Sequence, residues 1–445
     1  MNVSKQKFLI VGVSKSGRAV AEYVLNKNGA VFLFEQLHND SIESTIKELV
    51  EKGAVRLENP KERLDEIDVV VVSPGVPINH ELIVTAKEKN KRIISELEFG
   101  FLNYNGLSVA VTGTNGKTTT VSLINHVLKE NGLNSVCAGN IGCPITARLE
   151  ELRKDSIVVS EVSSFQLETT NVYCPHISCV LNLAPDHLER HYTMDNYAFL
   201  KSKLLRNQTQ SEYAILNYDD ETVKAFQTVT KAKVYFISLR EQVNGAYLKN
   251  GVLYCFNIPV INENELTVVG KHNVYNALFA ILTCYLLGVD LESVKKGLMT
   301  FKGVRHRLEL VKEMNGKKYY NDSKSTNTAS AISAIKTLST PTVLVLGGSE
   351  KGETYDDLFL QIKLSSVKHV VLTGASRFNM LDCAVKHGLK SVSLVEDFEY
   401  AIKVANVFTS VNECLLLSPA CASFDSFKSY EERGNKFCEI VEELN

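Results

Sequence analysis

Short apolar runs that end in glycine-rich turns recur along the chain and alternate with longer segments of helical periodicity. Three such runs lead directly into a turn: KFLIVGVSKSG near the N-terminus, LSVAVTGTNGK from Leu107, and TVLVLGG from Thr342. Other β-branched runs, including DVVVVSPG, SIVVSEVSS, HVVLTGAS and ECLLLSPA, lie between the helical segments. This alternation predicts an α/β protein with mostly parallel sheets and helices on both faces.

The length of the chain predicts more than one domain. A chain of 445 residues exceeds what a single ordinary hydrophobic core supports. We expect the boundaries near the stretches RIISELEFG and MTFKGVRHRLE. The predicted domains are therefore residues 1–95, 96–301 and 302–445.

Composition narrows the class of protein. The chain carries 49 basic and 51 acidic residues, a balance that argues against nucleic acid or a membrane surface as partner. Its ten cysteines show no C-x-x-C spacing, which favours reduced, buried thiols over a disulfide framework or a zinc site. The N-terminal run FLIVGV is too short for a signal peptide, and the apolar segment 277–289 is too short to span a bilayer. We expect a cytoplasmic protein.

The loop GTNGKTT, residues 113–119, follows one of these strands and opens a helix. A helix N-terminus offers unpaired N–H groups and a partial positive charge, and the glycines and lysine add room and a full charge for an anion. The strict pattern G-x-x-x-x-G-K-[ST] is not met, because Val111 stands five residues before Gly116. The alternative is an ordinary strand-to-helix turn with a chance lysine. We predict a phosphate-binding loop.

Polar side chains follow two later strands of the same region. Glu161 ends the run IVVSE, and Asp186 with His187 follows the run ISCVLNL. A single acid after a strand more often caps a helix, but two such strand ends behind a phosphate loop favour a Mg²⁺ site. Lys201 and Lys203 lie on a following helix, where we expect lysines to be solvated.

The first turn, GVSKSG, is a weaker signal. It resembles a dinucleotide-binding fingerprint in which Ser14 replaces the middle glycine, the one that lets the backbone approach a pyrophosphate. Glu35 ends the next apparent strand. A nicotinamide cofactor is therefore disfavoured, while a nucleotide-like ligand at the strand ends stays open.

Taken together and in order, nine motifs resemble those of the Mur ligases, most closely the members that add D-glutamate. They are GTNGKTT, GNIG, EVSSFQLE, NLAPDHLERH, KHNVYNA, HRLE, NDSKSTN, GGSEKG and SPACASFDSFKSYEERG. The resemblance implies an N-terminal Rossmann-like domain for the UDP end of the substrate and a central P-loop-type ATPase domain. It implies a C-terminal Rossmann-like domain for the incoming amino acid.

The activity implied by the resemblance is ATP-dependent amide-bond formation in peptidoglycan precursor synthesis. ATP would phosphorylate the carboxylate of UDP-N-acetylmuramoyl-L-alanine, and the amine of D-glutamate would attack the acyl phosphate. The implied cofactor is Mg²⁺ at two sites, and Lys203 matches the lysine that this family carbamylates. The implied partners are these small molecules, without nucleic acid or membrane insertion, and the protein is expected to be a monomer.

The resemblance also implies roles for individual residues. Those expected to bind ATP are Gly113, Thr114, Asn115, Gly116, Lys117, Thr118, Thr119, Asn273, Asn276, Arg307 and Asp322. Those expected to hold Mg²⁺ are Thr118, Glu161, His187 and Lys203, and those expected in catalysis are Lys117, His187 and Lys203. Those expected at the UDP substrate are Ser14, Lys15, Ser16, Glu35, Gln36, Ser73, Gly75 and Asn140. Those expected at D-glutamate are Lys324, Thr326, Lys351, Ser423 and Tyr430.

Other interpretations of the same residues stay open. Arg307 could belong to a solvated basic stretch, Asp322 could cap a helix, and Lys351 could be a surface charge. Among enzymes, folylpolyglutamate synthase or another Mur ligase would share the ATPase loop. In another class, a nucleotide-switched binding protein would hydrolyse ATP without either cosubstrate.

Overall fold

Three β-sheets organise the chain. A computed structural model describes residues 1–268, 270–350 and 354–444, and the chain divides into two compact units, Met1–Phe301 and Lys302–Asn445. The first unit holds two of the sheets and the second unit holds the third. The predicted α/β class with mostly parallel sheets is confirmed, while the boundary at residue 95 stays a prediction.

The first sheet has five parallel strands in the order β3-β2-β1-β4-β5. The strands are β1 (Lys7–Val11), β2 (Ala30–Phe34), β3 (Val55–Arg56), β4 (Val69–Val72) and β5 (Arg92–Ser95). The helices of this region are α1 (Lys15–Asn26), α2 (Asp40–Glu51), α3 (Glu81–Glu88) and α4 (Glu96–Leu102). Phe8 and Ile10 of β1 enter one apolar cluster, and Leu9 and Val11 enter another. Both faces of the sheet are therefore buried, as a parallel sheet requires.

The second sheet has nine strands in the order β14-β13-β12-β11-β10-β9-β6-β8-β7. The strands are β6 (Leu107–Thr112), β7 (Ser135–Gly139), β8 (Ile157–Glu161), β9 (Ile177–Val180), β10 (Tyr213–Asn217), β11 (Lys233–Ser238), β12 (Gly245–Lys249), β13 (Val252–Cys255) and β14 (Ile258–Asn262). The helices are α5 (Lys117–Glu130), α6 (Ser164–Glu168), α7 (Leu188–His191), α8 (Met194–Ser202), α9 (Glu221–Ala225), α10 (Lys271–Leu286) and α11 (Leu291–Thr300). Pairing is parallel from β7 to β12, so the strands around β6 end at one common edge.

The second unit is built on six strands in the order β15-β16-β20-β17-β18-β19, antiparallel only between β15 and β16. The strands are β15 (Glu309–Met314), β16 (Lys317–Asn321), β17 (Thr342–Gly347), β18 (Val367–Thr373), β19 (Val392–Leu394) and β20 (Cys414–Leu417). The helices are α12 (Thr328–Thr337), α13 (Asp356–Lys363), α14 (Arg377–Lys386), α15 (Phe398–Phe408) and α16 (Tyr430–Glu443). Apolar clusters cover both faces of this sheet as well.

The apolar segment predicted at residues 277–289 forms most of α10, a helix of 16 residues. Its residues from Ala277 to Cys284 are all buried. Within residues 1–268, 270–350 and 354–444, no helix combines the length and apolar character needed to cross a membrane.

The first helix of the chain lies unusually close to the turn before it. A Cβ atom added at Gly17 would meet the carbonyl oxygen of Gly12 at 1.9 Å, which is far inside van der Waals contact. The glycine therefore allows α1 to approach the end of β1 and to place its N-terminus against the following turn.

Replacement of Gly17 by alanine is expected to destabilise the protein. Forcing a methyl group against backbone costs about 1–3 kcal/mol or more, because neither helix nor turn has a flexible side chain that can yield. Gly75→Ala is the matched control, because nothing lies within 4 Å of its added Cβ. Urea unfolding followed by circular dichroism should separate the two variants, and equal midpoints would contradict the close approach.

Candidate functional site: a phosphate loop beside a buried lysine

The predicted phosphate loop is a tight turn between β6 and α5. Gly116 precedes the helix with a φ of +87° in the left-handed region, and Gly113 has a φ of +148°. The left-handed conformation favours glycine at position 116, and a Cβ there would also displace Asn276 Oδ1, which it would approach to 2.6 Å. The N-terminal N–H groups of α5 point into the turn, as an anion site requires.

The segment after β9 holds the phosphate loop in shape. The backbone N–H of Thr114 donates to the Asn182 carbonyl at 2.9 Å, and that of Asn115 donates to Asn182 Oδ1 at 2.8 Å. The N–H of Ala184 donates to Thr114 Oγ1 at 3.0 Å. These bonds hold the loop in its turn conformation through protein groups alone.

Three neighbouring strands bring oxygen groups to the first turn of α5. Thr118 Oγ1 donates to Glu161 Oε2 at 2.7 Å, and Asn140 Nδ2 donates to Glu161 Oε1 at 2.8 Å. Thr118 and Glu161 are 5% and 4% exposed. A hydroxyl and a carboxylate beside a phosphate loop fit Mg²⁺, which takes one or two protein oxygens and completes its shell with phosphate and water. The described residues hold no cluster of three or more His, Cys, Asp or Glu side chains that could bind a metal ion.

Two lysine side chains converge on one backbone carbonyl of the loop. Lys117 Nζ donates to Gly113 O at 2.9 Å and to Thr114 O at 2.7 Å. Lys201 Nζ donates to the same Gly113 oxygen at 2.8 Å, and its side chain is 1% exposed. Burial, followed by repulsion from Lys117, lowers the pKa of Lys201 to about 7.

The structure corrects the expectation for the two lysines at the end of α8. Lys201 is buried rather than solvated, and Lys203, expected near the metal, donates instead to the carbonyls of Leu167 and Glu168 at 2.6 and 3.0 Å. Burial lowers the pKa of Lys203 to about 8. Residues two apart on a helix point in different directions, so only Lys201 reaches the phosphate loop.

His187 lies at the turn before α7 in a left-handed conformation, with a φ of +54°. Its ring nitrogens are 3.6 Å from Asp186 Oδ2 and 3.3 Å from Glu189 Oε1, and its ring packs 4.8 Å from that of Phe165. Nearly half of the side chain is exposed, so the imidazole can reach a ligand. Its predicted role at a metal stays a prediction.

A second histidine of this turn was missed by the sequence analysis. His191 is 1% exposed, its Nε2 lies 2.9 Å from Ser164 Oγ, and burial lowers its pKa. Its ring lies between those of Phe165 and Tyr197, at 5.3 and 5.4 Å. We therefore assign it to the packing of the turn that carries His187.

The asparagines of the motif KHNVYNA lie at the start of α10. Asn276 Oδ1 accepts a hydrogen bond from Thr120 Oγ1 at 3.1 Å, and Asn276 Nδ2 donates to Asn273 Oδ1 at 2.9 Å. The structure thus brings both residues to the phosphate loop and α5, where a nucleotide contact was expected.

The residues expected at the UDP substrate surround the carboxyl ends of β1, β2 and β4. Ser14, Lys15 and Ser16 form the start of α1, and Ser73 Oγ donates to the Gly12 carbonyl at 2.7 Å. Gly75 is exposed in the turn after β4. Asn140, by contrast, lies beside Glu161 in the second sheet.

The Glu35 carboxylate has a structural role, because it bonds backbone groups of its own domain. Its carboxylate accepts the backbone N–H groups of Val13, Gln36 and Leu37 at 2.7, 2.8 and 2.9 Å. It therefore joins the turns after β1 and β2. Gln36 itself is exposed, and its Oε1 lies 3.0 Å from His80 Nε2, so its side chain is available to a ligand.

In the second unit, the Asp322 carboxylate is buried and accepts several hydrogen bonds. It accepts hydrogen bonds from Ser325 Oγ at 2.5 Å, Ser418 Oγ at 2.7 Å and the Leu308 N–H at 3.1 Å. Burial raises the pKa of its carboxyl to about 6. Arg307, which was grouped with it at ATP, is exposed.

Among the residues expected at D-glutamate, Lys324 and Thr326 follow β16, and Ser423 and Tyr430 follow β20. Ser423 is buried, and Tyr430, the first residue of α16, has its ring 5.7 Å from Lys324 Nζ. The N–H of Thr326 donates to the Lys324 carbonyl. Lys351 lies outside the described residues.

Arg433 organises this region and was not predicted. It is 2% exposed and donates to Ser323 Oγ, to the Ser323 carbonyl, and to the carbonyls of Ala422 and Cys421 at 2.9–3.1 Å. Burial lowers its pKa to about 10. The guanidinium thus joins the motifs NDSKSTN and SPACASFDSF into one structure.

Comparisons with known proteins cover the whole chain. Family profiles described as "Mur ligase MurD-like, N-terminal domain", "Mur ligase middle domain" and "Mur ligase, glutamate ligase domain" match residues 6–95, 111–284 and 306–421. Proteins named UDP-N-acetylmuramoylalanine–D-glutamate ligase from Clostridioides difficile (strain 630) and Thermoanaerobacter sp. (strain X514) are each 38% identical, covering 100% of both chains. The chain belongs to the Mur ligase family.

Solved structures of Mur ligases share the fold. UDP-N-acetylmuramate-alanine ligase MurC from Thermotoga maritima aligns with a TM-score of 0.62 at 19% identity, covering 98% of this chain and 99% of that one. MurF from Acinetobacter baumannii aligns with a TM-score of 0.64 at 18% identity, covering 94% and 91%. The α/β architecture is therefore that of Mur ligases over nearly its full length.

Removal of the Lys117 charge is expected to weaken nucleotide binding. Loss of a charged hydrogen bond costs about 1.5–3 kcal/mol, so Lys117→Ala should bind Mg·ATP roughly ten- to a hundredfold more weakly. Lys129→Ala, which changes an exposed lysine near the end of the same helix, should bind normally. Calorimetric titration of each variant tests this, and equal affinities would remove Lys117 from the phosphate site.

Proposed function

We propose that this protein is an ATP-dependent ligase that joins D-glutamate to UDP-N-acetylmuramoyl-L-alanine. The observation that carries the proposal is the glycine-lined phosphate loop with the Thr118–Glu161 pair at its helix N-terminus. The 38% identity to ligases of that name, over the full length of the chain, supports the substrate assignment.

The chemistry requires activation of a carboxylate. A free carboxylate resists attack by an amine, because its leaving group would be oxide. Transfer of the ATP γ-phosphoryl to one carboxylate oxygen gives an acyl phosphate and ADP. The deprotonated amine of D-glutamate then adds to the carbonyl carbon, and the tetrahedral intermediate expels phosphate to leave the amide. Cations near the developing negative charge, Lys117 above all, stabilise this sequence.

Thr118 and Glu161 are the proposed protein ligands of one Mg²⁺ ion, and His187 is proposed for a second. When bound, Mg²⁺ neutralises phosphate charge and aligns the γ-phosphoryl group. The hydrogen bond from Asn140 to Glu161 Oε1 orients the carboxylate toward the loop.

A lysine carbamate was expected from the resemblance at Lys203, and the geometry favours Lys201 in its place. Carbamate formation needs a neutral amine that attacks CO₂, forming an N–C bond and releasing a proton. Burial lowers the pKa of Lys201 to about 7, so a neutral amine is accessible near neutral pH. Its Nζ also lies at the phosphate loop, where an anion would offset the charge of Lys117.

The remaining proposed roles assign one substrate to each of the three sheet-containing regions. Residues 1–95 are proposed to bind the UDP end, 96–301 to bind ATP, and 302–445 to bind D-glutamate. The proposed UDP contacts are Ser14, Lys15, Ser16, Gln36, Ser73 and Gly75, with Glu35 supporting their turns. Lys324, Thr326, Lys351, Ser423 and Tyr430 are proposed at D-glutamate, and Asn273, Asn276, Arg307 and Asp322 at the nucleotide. We further propose a cytoplasmic monomer.

The proposed function is tested by a product assay. ATP, UDP-N-acetylmuramoyl-L-alanine and D-glutamate together should yield ADP, phosphate and a product whose mass equals both substrates joined with loss of water. Phosphate release should require both cosubstrates. Release with ATP alone would indicate a nucleotide switch, and release with a different acceptor would indicate another ligase of the family or a folylpolyglutamate synthase.

Replacement of Lys201 is expected to be more damaging than replacement of Lys203. Lys201→Ala should lose most activity, and a small carboxylate such as acetate or formate should restore part of it by occupying the vacated anionic position. Lys203→Ala is the control, because it removes a lysine of the same helix end that contacts other carbonyls. With ¹³C-labelled bicarbonate, a carbamate resonance should persist in Lys203→Ala and vanish in Lys201→Ala; the reverse pattern would return the assignment to Lys203.

A further inference from the structure

Arg190 makes a tight ion pair at the end of α7. Its Nε and Nη2 donate to the two oxygens of Glu168 at 3.1 and 2.6 Å. The side chains are 17% and 4% exposed, so the pair is largely removed from water. A two-pronged bond of this kind fixes the orientation of the guanidinium plane.

The same guanidinium reaches the first sheet of the unit. Arg190 Nη2 also donates to the carbonyl of Val76 at 2.9 Å. Val76 belongs to the turn after β4, and its N–H donates to the Ser73 carbonyl at 3.0 Å. Ser73 in turn bonds the Gly12 carbonyl, so this turn forms part of the proposed UDP site.

Arg190 also contacts His187, through its backbone and through a shared aromatic ring. Its backbone N–H donates to the His187 carbonyl at 3.0 Å, within one short helical turn. The guanidinium lies 5.2 Å from the Phe165 ring, and His187 packs on that ring at 4.8 Å. Arg190 and His187 therefore share both a backbone turn and an aromatic surface.

We propose that Arg190 is a positioning residue that joins the UDP-substrate turn after β4 to the turn carrying His187. The Arg190 bridge, formed by Arg190, Glu168 and Val76, holds both turns at fixed separation, so the UDP end and the reacting carboxylate are aligned together. This inference rests on the proposed function. Arginine is needed because three donors act at once in one plane, a geometry that the single ammonium of lysine cannot reproduce.

The bridge should affect one substrate selectively. The phosphate loop is held by Asn182 and Ala184 and by its own glycines, whereas the bridge contacts Val76 and Glu168. Loss of the bridge should therefore weaken the use of UDP-N-acetylmuramoyl-L-alanine and leave nucleotide binding almost unchanged. A general loss of structure would affect both.

The test compares Arg190→Lys with a matched surface variant. Arg63 also binds a glutamate with two prongs, at 2.6 and 2.9 Å to Glu66, and also lies 5.2 Å from an aromatic ring, that of Phe32. Arg63 and Glu66 are about 42% and 43% exposed. Arg63→Lys therefore removes a similar pair without touching the bridge.

Arg190→Lys is expected to raise the KM for UDP-N-acetylmuramoyl-L-alanine about ten- to a hundredfold, more than it lowers kcat. The KM for ATP and the affinity for Mg·ADP should change less than threefold, and Arg63→Lys should match the wild type. Calorimetric binding of UDP-N-acetylmuramoyl-L-alanine without ATP should show the same loss. Glu168→Gln, which keeps the shape of the partner, should give a smaller effect of the same kind.

An unchanged KM for the UDP substrate in folded Arg190→Lys would overturn the inference, as would equal increases for ATP and the UDP substrate. If Arg190→Lys shows no thermal transition and therefore does not fold, the KM values of Glu168→Gln for the UDP substrate and for ATP test the inference instead. Absence of product from the wild type would refute the proposed function. Equal calorimetric dissociation constants for the UDP substrate in the wild type and in Arg190→Lys would refute the bridge separately, because this comparison needs no turnover.

Discussion

The convergence of two lysine amines on the Gly113 carbonyl is the constraint around which the candidate site is arranged. The two bonds measure 2.9 and 2.8 Å, so the nitrogens lie within 5.7 Å of each other, the sum of those distances. Two ammonium groups this close repel each other, and burial adds to the penalty on Lys201. The pair is accommodated when one amine is neutral or when an anion arrives. The packing around the proposed phosphate site thus holds two lysine amines close together.

That packing explains why the loop could be predicted and the lysine pair could not. The phosphate loop is a local feature, because glycine, lysine and threonine at a strand–helix junction determine its conformation within a few residues. Lys201 and Lys203 look alike locally. The signal that separates them is the buried Tyr197, since Lys201 lies four residues later on the same helical face, whereas Lys203 follows the last residue of α8. The expectation that a lysine side chain is solvated came from residue type alone, and it obscured this pattern.

The same reasoning applies to α16. Arg433 shares helical spacing with the buried Phe437 and Ile440, so the stripe would have marked it as internal despite its charge. The sheets and the carboxyl-end location of most candidate residues followed from alternating patterns, which depend on local sequence. The hydrogen bonds of Asp322 and Arg190 could not be predicted, because each depends on turns brought together by non-consecutive strands. Those of Glu35 could not be predicted either, because they depend on how the turns after β1 and β2 meet at the edge of the sheet. Tertiary contacts of this kind carry no local signature.

The two buried cations differ in how protons couple to folding. Lys201 has a pKa of about 7 in the folded protein against 10.5 for an ordinary lysine, so between these values the unfolded chain holds a proton that the folded chain does not. Its contribution to the free energy of unfolding therefore rises as the pH rises from about 7, and below that value the full penalty of a buried charge remains. Arg433, with a pKa of about 10, gains stability from pH only above that value. Across the neutral range, then, the charge of Arg433 is constant while that of the unmodified Lys201 amine titrates, so of these two cations only Lys201 makes the stability depend on mildly alkaline pH.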